Sequence, residues 1–201
     1  FSNIVEKALC LNITEIKTKI LQDPVEGCII RHNDGKLLYS LAVPRIKKLD
    51  EIPSPYTSGL LDPFFNDDAL VPMLQTNRGC PFQCTFCDWG SAVADRVFQF
   101  DMDRINKELD WFSKNKIEFI FNCDANFGIL PRDVEIARRA AKNKNQFGYP
   151  KVLSTQNTKN ATERNYLTQK ILSDNGLNKG VALSMQSLSV SFLMLFLQKR
   201  I

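Results

Sequence analysis

The regular alternation of short apolar runs with amphipathic stretches between residues 71 and 188 is the feature that most narrows the folds open to this chain. VPMLQTN, Val71 to Asn77, reads as a strand. DMDRINKELDWFSKN then places Met102, Ile105, Leu109 and Phe112 at three- and four-residue steps, an amphipathic helix with Asp101 as its expected cap. IEFIFNC, Ile117 to Cys123, is nearly all apolar, as a strand covered on both faces requires. A second helix opens at Pro131, a residue suited to a first turn, with Val134, Ala137 and Ala141 as its inner face. KVLSTQN, Lys151 to Asn157, follows as a third strand, and TERNYLTQKILSDNG as a third helix that stops at Asn175-Gly176. GVALSMQSL, Gly180 to Leu188, reads as a fourth strand. Alternation of this kind predicts right-handed βαβ units and a parallel sheet, so the expected class is α/β. Four strands cannot close an eight-stranded barrel, which leaves an open sheet, a partial (β/α) barrel or a sheet cut short.

The residues before this alternation are patterned differently. Ile4 to Leu21 carries Val5, Leu9, Ile13, Ile16 and Ile20 at roughly helical spacing, with Asn12 and Thr14 as the points where a helix could break. Cys28 to Val43 reads as two short strands joined by Asn33-Asp34-Gly35, residues that tolerate the positive φ of a hairpin turn. LDEIPSPYTSGLLDPFF follows, and Pro53, Pro55 and Pro63 make it an extended connector through fixed φ and missing donors. The expected boundary falls near Ser58, with residues 1–58 as a small hairpin-containing segment and 59–201 as the main domain. At the other end, Phe192 to Leu197 is apolar, as a buried helix or an exposed patch would be.

Charge narrows the function classes only a little. Lysine and arginine number 26 against 22 acidic residues, a net +4 too small and too scattered to argue for nucleic acid or an anionic membrane surface. No apolar run reaches transmembrane length, and the N-terminus lacks the basic-then-apolar order of a signal peptide, so a cytoplasmic setting is expected. The chain begins with Phe rather than Met, which raises the expectation of a fragment or a processed product.

Six cysteines are present, and three of them, Cys80, Cys84 and Cys87, fall within eight residues as C-x-x-x-C-x-x-C. They lie too close together for a sensible disulfide framework, so a reducing compartment and metal binding fit better. Cys10, Cys28 and Cys123 read as small buried hydrophobes. Thiolates bind soft metals, and a loop directly after a parallel strand presents them at the carboxyl end of the sheet, where such folds place their chemistry. Structural zinc wants four ligands, whereas this chain has a single distant histidine, His32, and no second C-x-x-C. Iron–sulfur clusters are normally held by four cysteines, so a cubane held by three leaves one iron open to a further ligand.

The spacing, with Phe86 before the third cysteine, resembles the signature loop of the radical S-adenosylmethionine (radical SAM) superfamily over roughly Leu70 to Leu188. TNRGCPFQCTFCDWG, the upstream LDEIPSPYTSGLLD and the later FIFNCDANFG look like the type with a preceding cobalamin-binding domain. The resemblance implies a partial (β/α) barrel of which the chain would hold the first half. It also implies a 4Fe-4S cluster ligated by Cys80, Cys84 and Cys87, with S-adenosylmethionine on the fourth iron and reductive cleavage of its carbon–sulfur bond. Cobalamin would belong only to a full-length parent, since no D-x-H-x-x-G motif is present here. The parent would be a methyltransferase acting on an unknown small-molecule substrate, fed electrons by a flavodoxin or ferredoxin.

Residue roles follow from the same resemblance. Phe86 would pack near the adenine, or be a core aromatic, while Gly79 and Gly90 would let the loop turn tightly. The family usually carries a Gly-Gly-Glu-like segment whose carbonyls receive the SAM ammonium. Here Cys123-Asp124-Ala125-Asn126 stands in that place, with Asp124 either an acceptor or a turn residue. Ser154 and Gln156, then Ser184 and Gln186, match strand-end positions that contact the ribose and carboxylate, or they line a polar barrel interior. Cys123 could be an extra ligand or hydrogen donor rather than a core thiol, and Arg78 could screen the cluster's charge or lie on the surface. Two rivals remain: a metal- or cluster-binding module without catalysis, and an inactive truncated piece of such an enzyme.

Overall fold

The computed structural model describes residues 2–12, 14–66, 70–82, 84, 87, 96–158, 162–178 and 180. The chain divides into two compact units, residues 1–47 and 48–201. In the first, the expected N-terminal helix is two helices, α1 (Ser2–Leu9) and α2 (Ile16–Gln22). The break falls around Asn12, whose carbonyl accepts from Glu15 N (2.9 Å) and Ile16 N (3.1 Å) to start the second helix. The hairpin pairs β1 (Ile29–Arg31) with β2 (Leu37–Tyr39), Ile30 opposite Leu38. Its turn is set by Gly35 at φ +87° and by the Asp34 carboxylate, which accepts from Lys36 N at 3.0 Å.

The second unit runs β3 (Met73–Leu74), β4 (Asn77–Arg78), β5 (Phe98–Gln99), α3 (Met102–Lys114), β6 (Phe119–Phe127), α4 (Pro131–Phe147), β7 (Val152–Asn157) and α5 (Glu163–Asp174). The parallel sheet has the order β3–β6–β7, with Met73 opposite Phe121 and Phe119 opposite Val152. This α/β architecture is the expected one. The single strand expected over Val71 to Asn77 is instead two. β3 lies parallel to β6, but β4 turns away and pairs antiparallel with β5, Asn77 opposite Gln99 and Arg78 opposite Phe98. The cause is a change of partner: Thr76 N and Asn77 N donate to the Asp124 carboxylate, at 2.7 and 3.0 Å, where a continued strand would bond to backbone. The expected fourth strand, beyond Gly180, and the apolar tail lie outside the described residues.

Helices α3 and α4 pack side by side, as do α4 and α5. Leu74, Ile120 and Leu153, one from each parallel strand, are fully buried against Ile105, Leu109 and Phe112 of α3 and Ile136, Ala137 and Ala140 of α4. Each large side chain so buried contributes about 2 kcal/mol, and the alanines let α4 approach the sheet closely. The proline-rich connector joins this core through Leu49 and Tyr56. The Tyr56 hydroxyl donates to Met73 O (2.6 Å) and accepts from Met73 N (3.0 Å), so it stands in for a neighbouring strand on the open side of β3. Burial pushes this phenol up to about 12.

The start of α4 carries a buried carboxylate. Pro131 occupies the first turn, as expected, and Asp133 Oδ2 accepts from Gly128 N (2.8 Å) and Leu130 N (2.9 Å). Its Oδ1 is buried with no hydrogen-bond partner. Burial raises this carboxyl to about 6, against the lowering effect of the two N–H donors. An acid whose folded pKa is raised binds its proton more tightly in the folded state. Stability therefore falls as pH rises from about 4 to about 6, by at most about 3 kcal/mol from this group. Asp133→Asn is expected to flatten that part of the profile in urea unfolding between pH 4 and 7. A variant whose profile keeps the wild-type slope would show that Asp133 is not the group responsible.

Candidate functional site

The β4–β5 pair brings the two ends of the cysteine segment together, with Arg78 opposite Phe98. Its entry is a close approach of backbone to backbone. Gly79 has φ +122°, and a Cβ there would lie 2.0 Å from the Arg96 carbonyl oxygen. Arg132, at the start of α4, braces the same base, its guanidinium donating to Thr76 O at 3.1 Å and to Phe100 O. Cys80, Cys84 and Cys87 are not joined in disulfides, and Cys87 N donates to Cys84 O at 3.1 Å.

A cavity of about 410 Å³ lies beside the C-terminal half of β6. All three loop cysteines line it, as do Cys123, Asp124, Ala125 and Asn126 of β6 and Gln156 of β7. The β6–β7 ladder is irregular at this point. Pairing passes from Asn122 opposite Thr155 to Phe127 opposite Asn157, so residues 123–126 face the single residue Gln156. Such a bulge frees backbone groups from the sheet and turns them elsewhere.

Side chains of the bulge are held individually. Asp124 is fully buried; its Oδ1 accepts from Thr76 N and Asn77 N, and its Oδ2 from Asn77 Nδ2 (3.0 Å) and the Thr76 hydroxyl. Burial raises the Asp124 carboxyl above its ordinary value, and these donors partly offset the rise. Its carboxylate thus pins the root of the cysteine loop to β6. Cys123 is half-buried and its thiol donates to Leu74 O at 3.2 Å. Burial pushes that thiol up, and the neighbouring Asp124 charge adds to the effect. Asn126 donates from Nδ2 to the sulfur of Cys80 at 3.1 Å.

Other residues singled out from sequence are placed as follows. Gln156 joins the cysteines, whereas Ser154 lines a neighbouring cavity of about 350 Å³ with Thr155, Gln156 and Asn178. Arg78 is exposed and donates to Gln75 Oε1 at 2.7 Å. Phe86, Gly90, Ser184 and Gln186 lie outside the described residues. Sequence reasoning missed Thr76, Asn77 and Arg132. The signal for the first two was the polar pair Thr76-Asn77 at the end of an apolar strand, directly before Gly79-Cys80.

Among the described residues, no three His, Cys, Asp or Glu side chains converge closely enough to hold a single metal ion. A cubane asks for something different, one thiolate on each of three irons at its corners, and so for ligands spaced more widely. Three cysteines outside any disulfide lining one cavity, with an amide aimed at one of the sulfurs, suit that requirement. The donors are soft, and Asp124, the carboxylate among the described lining residues, is already engaged by Thr76 and Asn77.

No family model matches the chain. It is 38% identical over 174 residues, 84% of its own length and 25% of the relative's, to 2-(S-pantetheinyl)-carbapenam-3-carboxylate methyltransferase of Streptantibioticus cattleyicolor. It is also 38% identical over 154 residues, 74% of its length and 23% of the relative's, to the cobalamin-dependent radical SAM methyltransferase TokK of Streptomyces tokunonensis. Among solved structures, the radical S-adenosylmethionine methyltransferase TsrM from Kitasatospora setae, with tryptophan and a SAM analogue bound, superposes with a TM-score of 0.50. That match has 15% identity and covers 85% of this chain and 34% of that one, a likeness of fold. The chain spans about a quarter of the length of the curated relatives it matches, and it is a homologue of the cobalamin-dependent radical SAM methyltransferases.

Proposed function

We propose that this chain is the cluster-bearing part of a radical SAM enzyme, with Cys80, Cys84 and Cys87 as the ligands of a 4Fe-4S cluster and S-adenosylmethionine as the ligand of its open iron. The observation that carries the reading is that the three cysteines of the C-x-x-x-C-x-x-C loop open on one cavity over the C-terminal half of β6. When bound, the cluster supplies one electron to the SAM sulfonium and so breaks a carbon–sulfur bond.

The chain's own residues bind and orient. Cys123, Asp124 and Ala125, in the stretch where the β6–β7 register is interrupted, supply backbone carbonyls to the SAM ammonium, while the Asn126 carbonyl is engaged by Ile129 N. Asp124 contributes by holding Thr76 and Asn77, and with them the loop, in place. Gln156 supplies a polar contact for the ribose or carboxylate, and Ser154 belongs to the adjoining cavity that Gln156 also lines. Phe82 and Phe121 give the cavity apolar wall that excludes water from the reacting centre. The whole protein is, in this reading, a cobalamin-dependent methyltransferase, which the relationship to TokK supports; a flavodoxin or ferredoxin as its electron donor is part of the proposal and rests on the electron that the cluster would need.

Anaerobic reconstitution with iron and sulfide, followed by electron paramagnetic resonance of the reduced protein, tests this directly. The expected result is a 4Fe-4S signal that changes when SAM is added. Stoichiometric zinc in place of iron, or a cluster signal indifferent to SAM, would overturn the proposal.

A further inference from the structure

We infer that Asn126 sets the reduction potential of the cluster by donating its side-chain amide to the Cys80 sulfur, an inference that rests on the cluster proposed above. Asn126 is 6% exposed and Cys80 8%, and the Nδ2 to Sγ distance is 3.1 Å. The bond is therefore largely shielded from bulk water. Cys84 and Cys87 are only half-buried, so Cys80 is the thiolate for which an internal donor matters most.

The direction follows from charge. Adding an electron to a thiolate-bound cluster raises the negative charge on its sulfurs, and an N–H donor to such a sulfur is stronger when that charge is greater. The Asn126 amide thus favours the reduced state and raises the potential. Its position is fixed from two sides: its carbonyl accepts from Ile129 N at 3.3 Å, and the adjacent Phe127 is fully buried where pairing with β7 resumes. Asn126 is a positioning residue in this role, acting on the cluster through Cys80.

The experiment is a redox titration of the reconstituted full chain, read by electron paramagnetic resonance, for wild type, Asn126→Ala and Asn126→Asp. At a fixed poise, Asn126→Ala is expected to reduce the ratio of reduced to oxidised cluster about tenfold, a shift of about 59 mV for a one-electron couple. Asn126→Asp is expected to shift it further the same way, since an ionised carboxylate adds charge and donates nothing. Potentials equal to wild type in both variants would overturn the inference while leaving the proposed function intact. Wild-type protein that forms no cluster would remove the proposed function and this inference together. If both variants lose the cluster, wild-type chain carrying amide-15N asparagine provides the reading: pulsed resonance of the reduced cluster is expected to show weak coupling to a labelled nitrogen, and its absence overturns the inference.

Discussion

Gly79→Ala is expected to weaken the binding of the proposed iron–sulfur cluster about 10- to 100-fold. The reason is steric and lies at the mouth of the loop. The new Cβ would stand 2.0 Å from the Arg96 carbonyl oxygen and 2.9 Å from its carbonyl carbon, both backbone atoms that no side-chain rotation can clear. The φ of +122° is itself costly for any residue with a Cβ, by about 1–3 kcal/mol. Relief requires the chain at Arg96 to move, and that movement breaks the pairing of Arg78 with Phe98 on which the loop closes. Cysteines on a loop no longer closed at its base lose their common cavity. Iron content after reconstitution, measured beside far-ultraviolet circular dichroism, separates this local effect from general unfolding. Full iron loading in the alanine variant would show that the close approach at Arg96 does not organise the site.

Asp124→Ala is the substitution expected to cost the most stability, about 4 kcal/mol in urea unfolding. The carboxylate is buried and is the acceptor for four donors, two backbone N–H groups and two side chains, all from Thr76 and Asn77. Truncation strips the acceptor from the two backbone N–H groups and the Thr76 hydroxyl in a site closed to water, and leaves Asn77 Nδ2 only its 3.3 Å contact to the Thr76 hydroxyl oxygen. Asp124→Asn preserves shape but turns an NH2 group toward donors, so it is expected to recover little of the loss. A double-mutant cycle with Thr76→Val gives the pairwise check, with a coupling above about 1 kcal/mol expected. Strictly additive losses would mean that the two residues do not act on each other.

These two positions differ in how far they can be read from the chain. Gly79 beside Cys80 is legible as a tight turn, because glycine before a ligand loop has few other purposes. The need for it at Arg96 is invisible in the sequence, because the close contact joins two ends of a loop whose closure by β4 and β5 rests on two-residue strands too short to leave a pattern. Asp124 shows the opposite failure. As part of Cys123-Asp124-Ala125-Asn126 it stood out as a site residue, yet the apolar run ending at Cys123 implied that the strand ended there. β6 continues to Phe127 because Thr76 and Asn77 satisfy the carboxylate inside the fold, so that an aspartate is tolerated in a buried strand.

By itself, the sequence determined the helices α3, α4 and α5, the strands at the centre of β6 and β7, and the identity of the three clustered thiols. Those features depend on local periodicity and spacing, which neighbouring residues settle among themselves. Only the tertiary structure decided that the strand at 71–77 divides, that the β6–β7 ladder bulges over residues 123–126, and that an asparagine reaches the Cys80 sulfur. Each of these depends on a hydrogen-bonding choice, and in two of them the partner is far away in the chain: Thr76 chooses a carboxylate 48 residues on, and Asn126 a sulfur 46 residues back. A buried donor takes whichever acceptor the packed fold brings within about 3 Å, and the order of residues does not record which one that is.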